Sequence, residues 1–327
     1  MKKLSLKEIE EYRTRDLIEG LRERKFSLLG SIGFRKLRAG MFLTGLACRL
    51  IVFLSGLGFA VKKAGDRGLK MNAPARKRIG NLLRFLFPVD VKGEFPHPHH
   101  GMVVGFNHPS LGEILRMIYI CIDNYKHNRN LFPVNLPWYE ALMPIVKELE
   151  AIGIYVMPII TPATRDKMAK QTDEETMKVI DSLAKSLNLV YLEKCVEFIK
   201  DGDNIWIAPS ATRQASVYKT LAMFSGDEAI EPKTMTLVAS ALIRAKVEEC
   251  TFLPVAVIPS DKYSRGLNFF RHYRFGIGKA LTMNDARENV RKRCEKNTGR
   301  KFEAMFLEEI SRALIKNNGS RFVCPDT

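Results

Sequence analysis

The sequence lacks the cysteine spacing that small metal or disulfide frameworks need. Its six cysteines, Cys48, Cys121, Cys195, Cys250, Cys294 and Cys324, are far apart and form no CxxC or Cys/His pattern. Neither a zinc site nor a disulfide scaffold is therefore expected, and a reducing compartment fits best. The opening stretch MKKLSLKEIEEYRTRDLIEG lacks the apolar core of a secretory signal and reads as a charged amphipathic helix, so the chain is expected to stay in the cytoplasm. No internal repeat, low-complexity tract, RNP, zinc-finger or helix-turn-helix pattern is visible, which leaves charge as the sole argument for nucleic acid. Acidic residues are in deficit. With 52 Lys plus Arg against 36 Asp plus Glu, the net charge is +16. Negative partners are expected, whether anionic lipid, an acidic carrier protein or phosphorylated small molecules.

What is present is enough apolar material for a core. The 327 residues, 46% of them apolar, suit one large domain or two modest ones. One segment, Ala39 to Val61, is a 23-residue apolar run interrupted by Arg49 alone. It approaches the ~20 residues that span a bilayer, but an arginine at mid-span costs roughly 2.5–3.5 kcal/mol. A buried helical hairpin and an in-plane membrane anchor are the two readings that avoid this cost. From Val61 to Phe85, eight basic residues face one acidic residue, Asp66. Such a stretch suits an anionic surface or a solvated loop.

The first 87 residues form a helical N-terminal region, a candidate for membrane-surface contact, and residues 88–327 form an α/β domain with C-terminal helices. From about 88 onward, short β-branched runs alternate with helical patterns. Strands are expected at 102–106, 131–135, 154–159, 204–208 and 251–258, with helices near 110–125, 138–150, 173–200 and 234–247. Nearly continuous hydrophobicity in each strand predicts a mixed central sheet covered by helices on both faces.

In open α/β sheets, reactive groups collect where a strand ends and a helix begins. His108 follows the first such strand directly, and Glu113 comes five positions later. Ser110 to Glu113 also fits the capping box S-x-x-E. The same carboxylate can instead turn back to the imidazole, fix its tautomer and stabilise the protonated ring. Both readings stand. The clustered His97, His99 and His100 lie in a stretch that its prolines keep extended, with no cysteine nearby in sequence, so a polar loop is expected there and no metal. His272 is read as part of a late strand.

The stretch NHPSLGE (107–113) resembles the first motif of the glycerolipid acyltransferases, in which Asn-His is followed by four residues and an acid. NIWIAPSATRQAS (204–216) resembles the third motif, closest to the soluble plastid-type glycerol-3-phosphate acyltransferases, and TFLPVAVIP (251–259) resembles the fourth block. The resemblance covers roughly residues 100–260. It implies a fatty acyl transfer from an acyl-CoA or acyl carrier protein thioester to a hydroxyl of glycerol-3-phosphate or a lysophospholipid. His108 would be the general base and Glu113 its orienter, with no further cofactor and no covalent acyl-enzyme.

Asn107, Arg165, Ser210, Thr212 and Arg213 are then the expected substrate-binding residues. Arginine is the natural phosphate clamp because its planar fork meets two oxygens at once. Backbone amides around Ser210 to Thr212 are the expected oxyanion donors, and Ser210, lacking a G-x-S-x-G elbow, is not expected to be a nucleophile. The acid is Glu113 where the family has Asp, and Gln214-Ala215 stands where plastid-type enzymes carry a further arginine. Those departures also fit a catalytically inactive lipid-binding or membrane-surface protein of the same fold.

Overall fold

Serine caps begin two of the three helices at the start of the chain. The computed structural model describes residues 2–34, 45–46, 49–50, 53, 73–107, 112–125, 127–208, 234–259, 273–296, 305–306, 309–310 and 312. Helix α1 (Leu6–Glu11) begins in a capping box. The Ser5 hydroxyl accepts the Glu8 N–H at 3.2 Å, and the Glu8 carboxylate accepts the Ser5 N–H at 2.7 Å. After α2 (Thr14–Arg22), α3 (Leu28–Ile32) is capped by Ser27 and stopped by Gly33, whose φ of 99° is costly for any residue with a Cβ. Helix α4 (Ala73–Leu86) has no acidic residue in its sequence APARKRIGNLLRFL.

By contact density the chain divides into two compact units, Met1–Ile79 with Leu131–Lys194, and Gly80–Asn130 with Cys195–Thr327. Composition suggested a boundary at 87/88. By contacts, residues 131–194 group with the N-terminal helices.

In the first unit a leucine-rich core joins Leu17, Leu21, Leu28 and Leu29 to Leu136, Tyr139, Ile180 and Leu187. Each such side chain stabilises by about 1.5–3 kcal/mol when fully buried. Polar groups fix its geometry. Glu140 accepts the Ser27 hydroxyl at 2.5 Å and the Leu29 N–H at 2.9 Å. Arg22 pairs with buried Glu150, whose carboxyl burial pushes up against the pull of that arginine. This unit also contains α6 (Leu136–Leu142), a 3₁₀ turn (Met143–Ile145), α7 (Val146–Ala151), β4 (Ile154–Ile159) and α8 (Pro162–Ala169). Most of β3 (Asn130–Asn135) and of the long α9 (Glu174–Lys200) belong to it as well.

The second unit is built on a mixed sheet. Its strands are β1 (Val89–Lys92), β2 (Met102–Phe106), β5 (Asn204–Ile207), β6 (Thr251–Pro259), β7 (Tyr273–Ile277) and the short β8 (Leu281–Thr282). They run in the order β1-β7-β6-β2-β5, with β8 beside β6. Strand β2 is parallel to both neighbours, with Val103 opposite Ile205 and Phe252, while β6 and β7 are antiparallel. Every residue of β2 and β5 is buried, so both faces of these strands are covered, as their unbroken apolar runs require. Helices α5 (Gly112–Asn124), α10 (Thr234–Arg244) and α11 (Met283–Lys296) complete the unit. Phe306 and Ile310, on a further helical stretch, are wholly buried.

The α/β class with N-terminal helices is thus as expected, and the five expected strands all form. Strand β1 was not anticipated, because VDVK alternates half-buried with exposed positions and carries no apolar run. The helix expected at 138–150 is three short pieces, with Pro137 and Pro144 each at the start of one. Among the described residues no helix is long and apolar enough to cross a membrane. Most of the run 39–61, and His272, lie outside the described residues.

Candidate active site

Parallel strands align their carboxyl ends, and two of the stretches that resemble family motifs follow such ends. In β2, Gly105 lies opposite Ile207 of β5 and Pro254 of β6. The stretch 107–113 therefore leaves β2 beside the point where 208–216 leaves β5. Strands β5 and β6 flank β2 on opposite sides, so the chain leaving β5 crosses past β2 to reach β6. A crevice outside the carboxyl ends at such a crossing is where open α/β sheets bind ligands.

Asn107 closes the end of β2. It is 2% exposed, its Nδ2 donates to the Val257 carbonyl at 2.9 Å, and its Oδ1 accepts the Val257 N–H at 2.6 Å. The side-chain amide thus imitates a strand neighbour and extends the β2–β6 pairing beyond Phe106 opposite Val255. With both ends of the amide committed to backbone, Asn107 ties the end of β2 to β6. The resemblance implied substrate contact for this residue, and the geometry gives it a brace.

His108 lies outside the described residues, as do Ser210, Thr212 and Arg213. Glu113 is the second residue of α5, and only its backbone is described.

Arg165 is on the exposed helix α8, which Thr161 caps. Its guanidinium meets Asp181 at 2.6 and 2.8 Å through two nitrogens. These bonds hold the Asp181 carboxyl below the usual carboxylate range and make Arg165 still harder to deprotonate. A phosphate at this arginine would have to compete with a bidentate carboxylate already in place.

Sequence reasoning missed Arg116. It is wholly buried in α5, its Nε donates to the Pro88 carbonyl at 3.2 Å, and its guanidinium lies 4.3 Å from the Tyr273 ring centroid and 5.6 Å from that of Phe87. With two rings near its guanidinium and a bond to backbone, this arginine anchors α5. The available signal was a lone cation inside the apolar run EILRMIYICI.

The histidine cluster has local duties. His100 bonds the Thr251 hydroxyl at 2.8 Å through Nε2 and faces Glu249 at 3.3 Å through Nδ1, while His97 packs near Tyr125. Among the described residues no group of three His, Cys, Asp or Glu side chains is placed to hold a metal ion. Searches of the chain against protein-family models and against curated proteins find no match.

Proposed function

We propose that the protein is an O-acyltransferase moving a fatty acyl group from an acyl-CoA or acyl carrier protein thioester to a hydroxyl of glycerol-3-phosphate or a lysophospholipid. The observation that supports this reading is the register of β5, β2 and β6. Three stretches that resemble the first, third and fourth motifs of one enzyme family, spread over residues 107–259, follow or form three adjacent parallel strands.

In the proposed reaction His108 Nε2 takes the proton of the acceptor hydroxyl as its oxygen attacks the thioester carbonyl carbon. The tetrahedral oxyanion collapses, the C–S bond breaks, and the leaving thiolate takes the proton back from the imidazolium. An ester and a free thiol result, with no covalent enzyme intermediate. Glu113 orients the ring and stabilises its charged form, Asn107 holds the start of the loop, and Arg213 meets the acceptor phosphate. A neutral imidazole with an ordinary pKa of about 6.5 is available as a base near pH 7. Proton transfer by such a base is worth about 10²- to 10⁴-fold, and positioning supplies much of the rest. Acidic thioester donors suit a chain of charge +16. With an amphiphilic product, the enzyme works peripherally at the cytoplasmic face of a membrane.

The test is mass spectrometry of products after incubation with both donors and a panel of glycerol phosphates and lysolipids. Acylation of an acceptor, abolished in His108→Ala, is expected. No acylation with either donor would leave the inactive lipid-binding reading in its place.

A further inference from the structure

Five residues of the run 39–61 are described, and all five are helical: Gly45, Leu46, Arg49, Leu50 and Phe53. Gly45 is buried, and a Cβ there would meet the Ala141 carbonyl oxygen at 3.0 Å and the Pro144 ring at 3.4 Å. The helix therefore rests its backbone on residues 141–144 of the first unit, leaving no room for a side chain on that side. Leu46, Leu50 and Phe53 are 55%, 57% and 74% exposed. Their i, i+4, i+7 spacing puts them on one stripe. Single exposed leucines are ordinary, but three large apolar side chains in a row are not.

The charge beside the stripe selects the occupant. Arg49 is exposed at its edge. Burial first, and then the nearby positive charge of Arg49, lowers the pKa of Arg24, with Glu148 opposing. The run Ala39–Val61 contains no acidic residue. A second copy of the chain docking on the same stripe would bring Arg49 towards Arg49, which like charges disfavour. Anionic lipid headgroups neutralise these cations while the acyl boundary covers the apolar side chains, the arrangement of an in-plane amphipathic anchor. Helix α4 repeats the chemistry on its own surface, with Lys77, Arg78, Arg84 and an 83% exposed Phe85.

We infer that Leu46, Leu50 and Phe53 insert into the headgroup boundary of an anionic membrane, with Arg49 on the lipid phosphates. This does not depend on the acyl-transfer chemistry. The experiment is co-sedimentation of the full chain with phosphatidylcholine vesicles, with and without phosphatidylglycerol. Wild type is expected to bind the anionic vesicles and to release with added salt. The triple variant Leu46→Ser, Leu50→Ser, Phe53→Ser is expected to bind about tenfold or more weakly, with unchanged circular dichroism because all three are exposed. Arg49→Glu should weaken binding to the anionic vesicles alone. A Phe53→Trp variant reads insertion directly, through a blue-shifted emission quenched by brominated lipid. Equal binding by the triple variant, no binding by wild type, or an unquenched Trp would overturn the inference. So would a lipid-free dimer that the triple variant dissociates.

Discussion

The two ends of the same parallel strands are built differently. At the amino ends of β2 and β5, Arg129 ties the chain through Asp203 and Asp201 while its own N–H donates to Asp203 at 2.6 Å. Asn130 accepts from Asn204 at 3.3 Å and from the Trp206 indole at 3.0 Å. Gly101 lies so close to the Ile199 and Asp203 backbone that a Cβ would meet it at 2.7 Å. At the carboxyl end of β2, the described brace is the Asn107–Val257 amide pair. Such a polar network makes one end rigid, and the stretches that resemble the family's motifs follow the other. Binding and catalytic groups belong on such loops because a rigid scaffold behind them sets their positions.

The largest effect expected from breaking this division is at the carboxyl end. His108→Ala should lower acyl transfer by about 10²- to 10⁴-fold while leaving the melting temperature unchanged. Steady-state kinetics beside a thermal melt separates the two readouts. A matched fall in stability would make His108 part of the scaffold and erase the contrast.

Next comes the amino end, where the effect should be on stability alone. Asp203→Ala leaves the Arg129 guanidinium, which also lies 4.6 Å from the Phe198 ring centroid, with Asp201 as its remaining carboxylate and takes the acceptor from the Arg129 N–H. Breaking a largely buried pair on one side costs about 3 kcal/mol, read as a shift of the urea midpoint. Replacing both partners by apolar residues should recover much of that loss. Turnover per folded molecule should not change.

Asn107→Ala tests whether the brace described at the carboxyl end serves both purposes. It leaves the Val257 N–H and carbonyl buried without partners, a cost of about 1–3 kcal/mol. It should also lower turnover, because the residue after it is the proposed base. A loss of stability with full turnover would show that the brace does not position His108.

Much of this division was legible in the sequence, and the reason is physical. Strands buried on both faces must be nearly continuous in apolar residues, so MVVGF, NIWI and TFLPVAVI announce themselves. The candidate site, Asn107, His108 and Glu113, was proposed because a resemblance to a family motif coincides with a strand-to-helix junction. What stayed hidden depends on partners distant in sequence. Asn107 looked like a ligand contact because nothing local reveals that Val257, 150 residues away, takes both ends of its amide. Arg165 looked free because Asp181 reaches it only once α8 and α9 are in place. Arg116 was missed because the Phe87 and Tyr273 rings near its guanidinium are distant from it in sequence.

The smallest effect expected is also the sharpest probe of how the carboxyl end is packed. Gly105 ends the β2–β5 register, and a Cβ there would lie 2.3 Å from the Phe306 ring and 3.5 Å from Met235 Cε. Unlike Gly101, which abuts backbone, Gly105 abuts the far end of one side chain, that of buried Phe306. Gly105→Ala should therefore cost about 1 kcal/mol, the low end of overpacking, and Gly101→Ala about 3 kcal/mol because the chain itself must move. Trimming the obstacle in a Gly105→Ala, Phe306→Leu double variant should restore most of the loss, since the new methyl takes up part of the volume the ring gives back. Chemical denaturation of the three variants reads the ordering. Equal costs at the two glycines would mean that the carboxyl end is as unyielding as the amino end, and that the loop bearing His108 owes its position to packing rather than to the Asn107 amide.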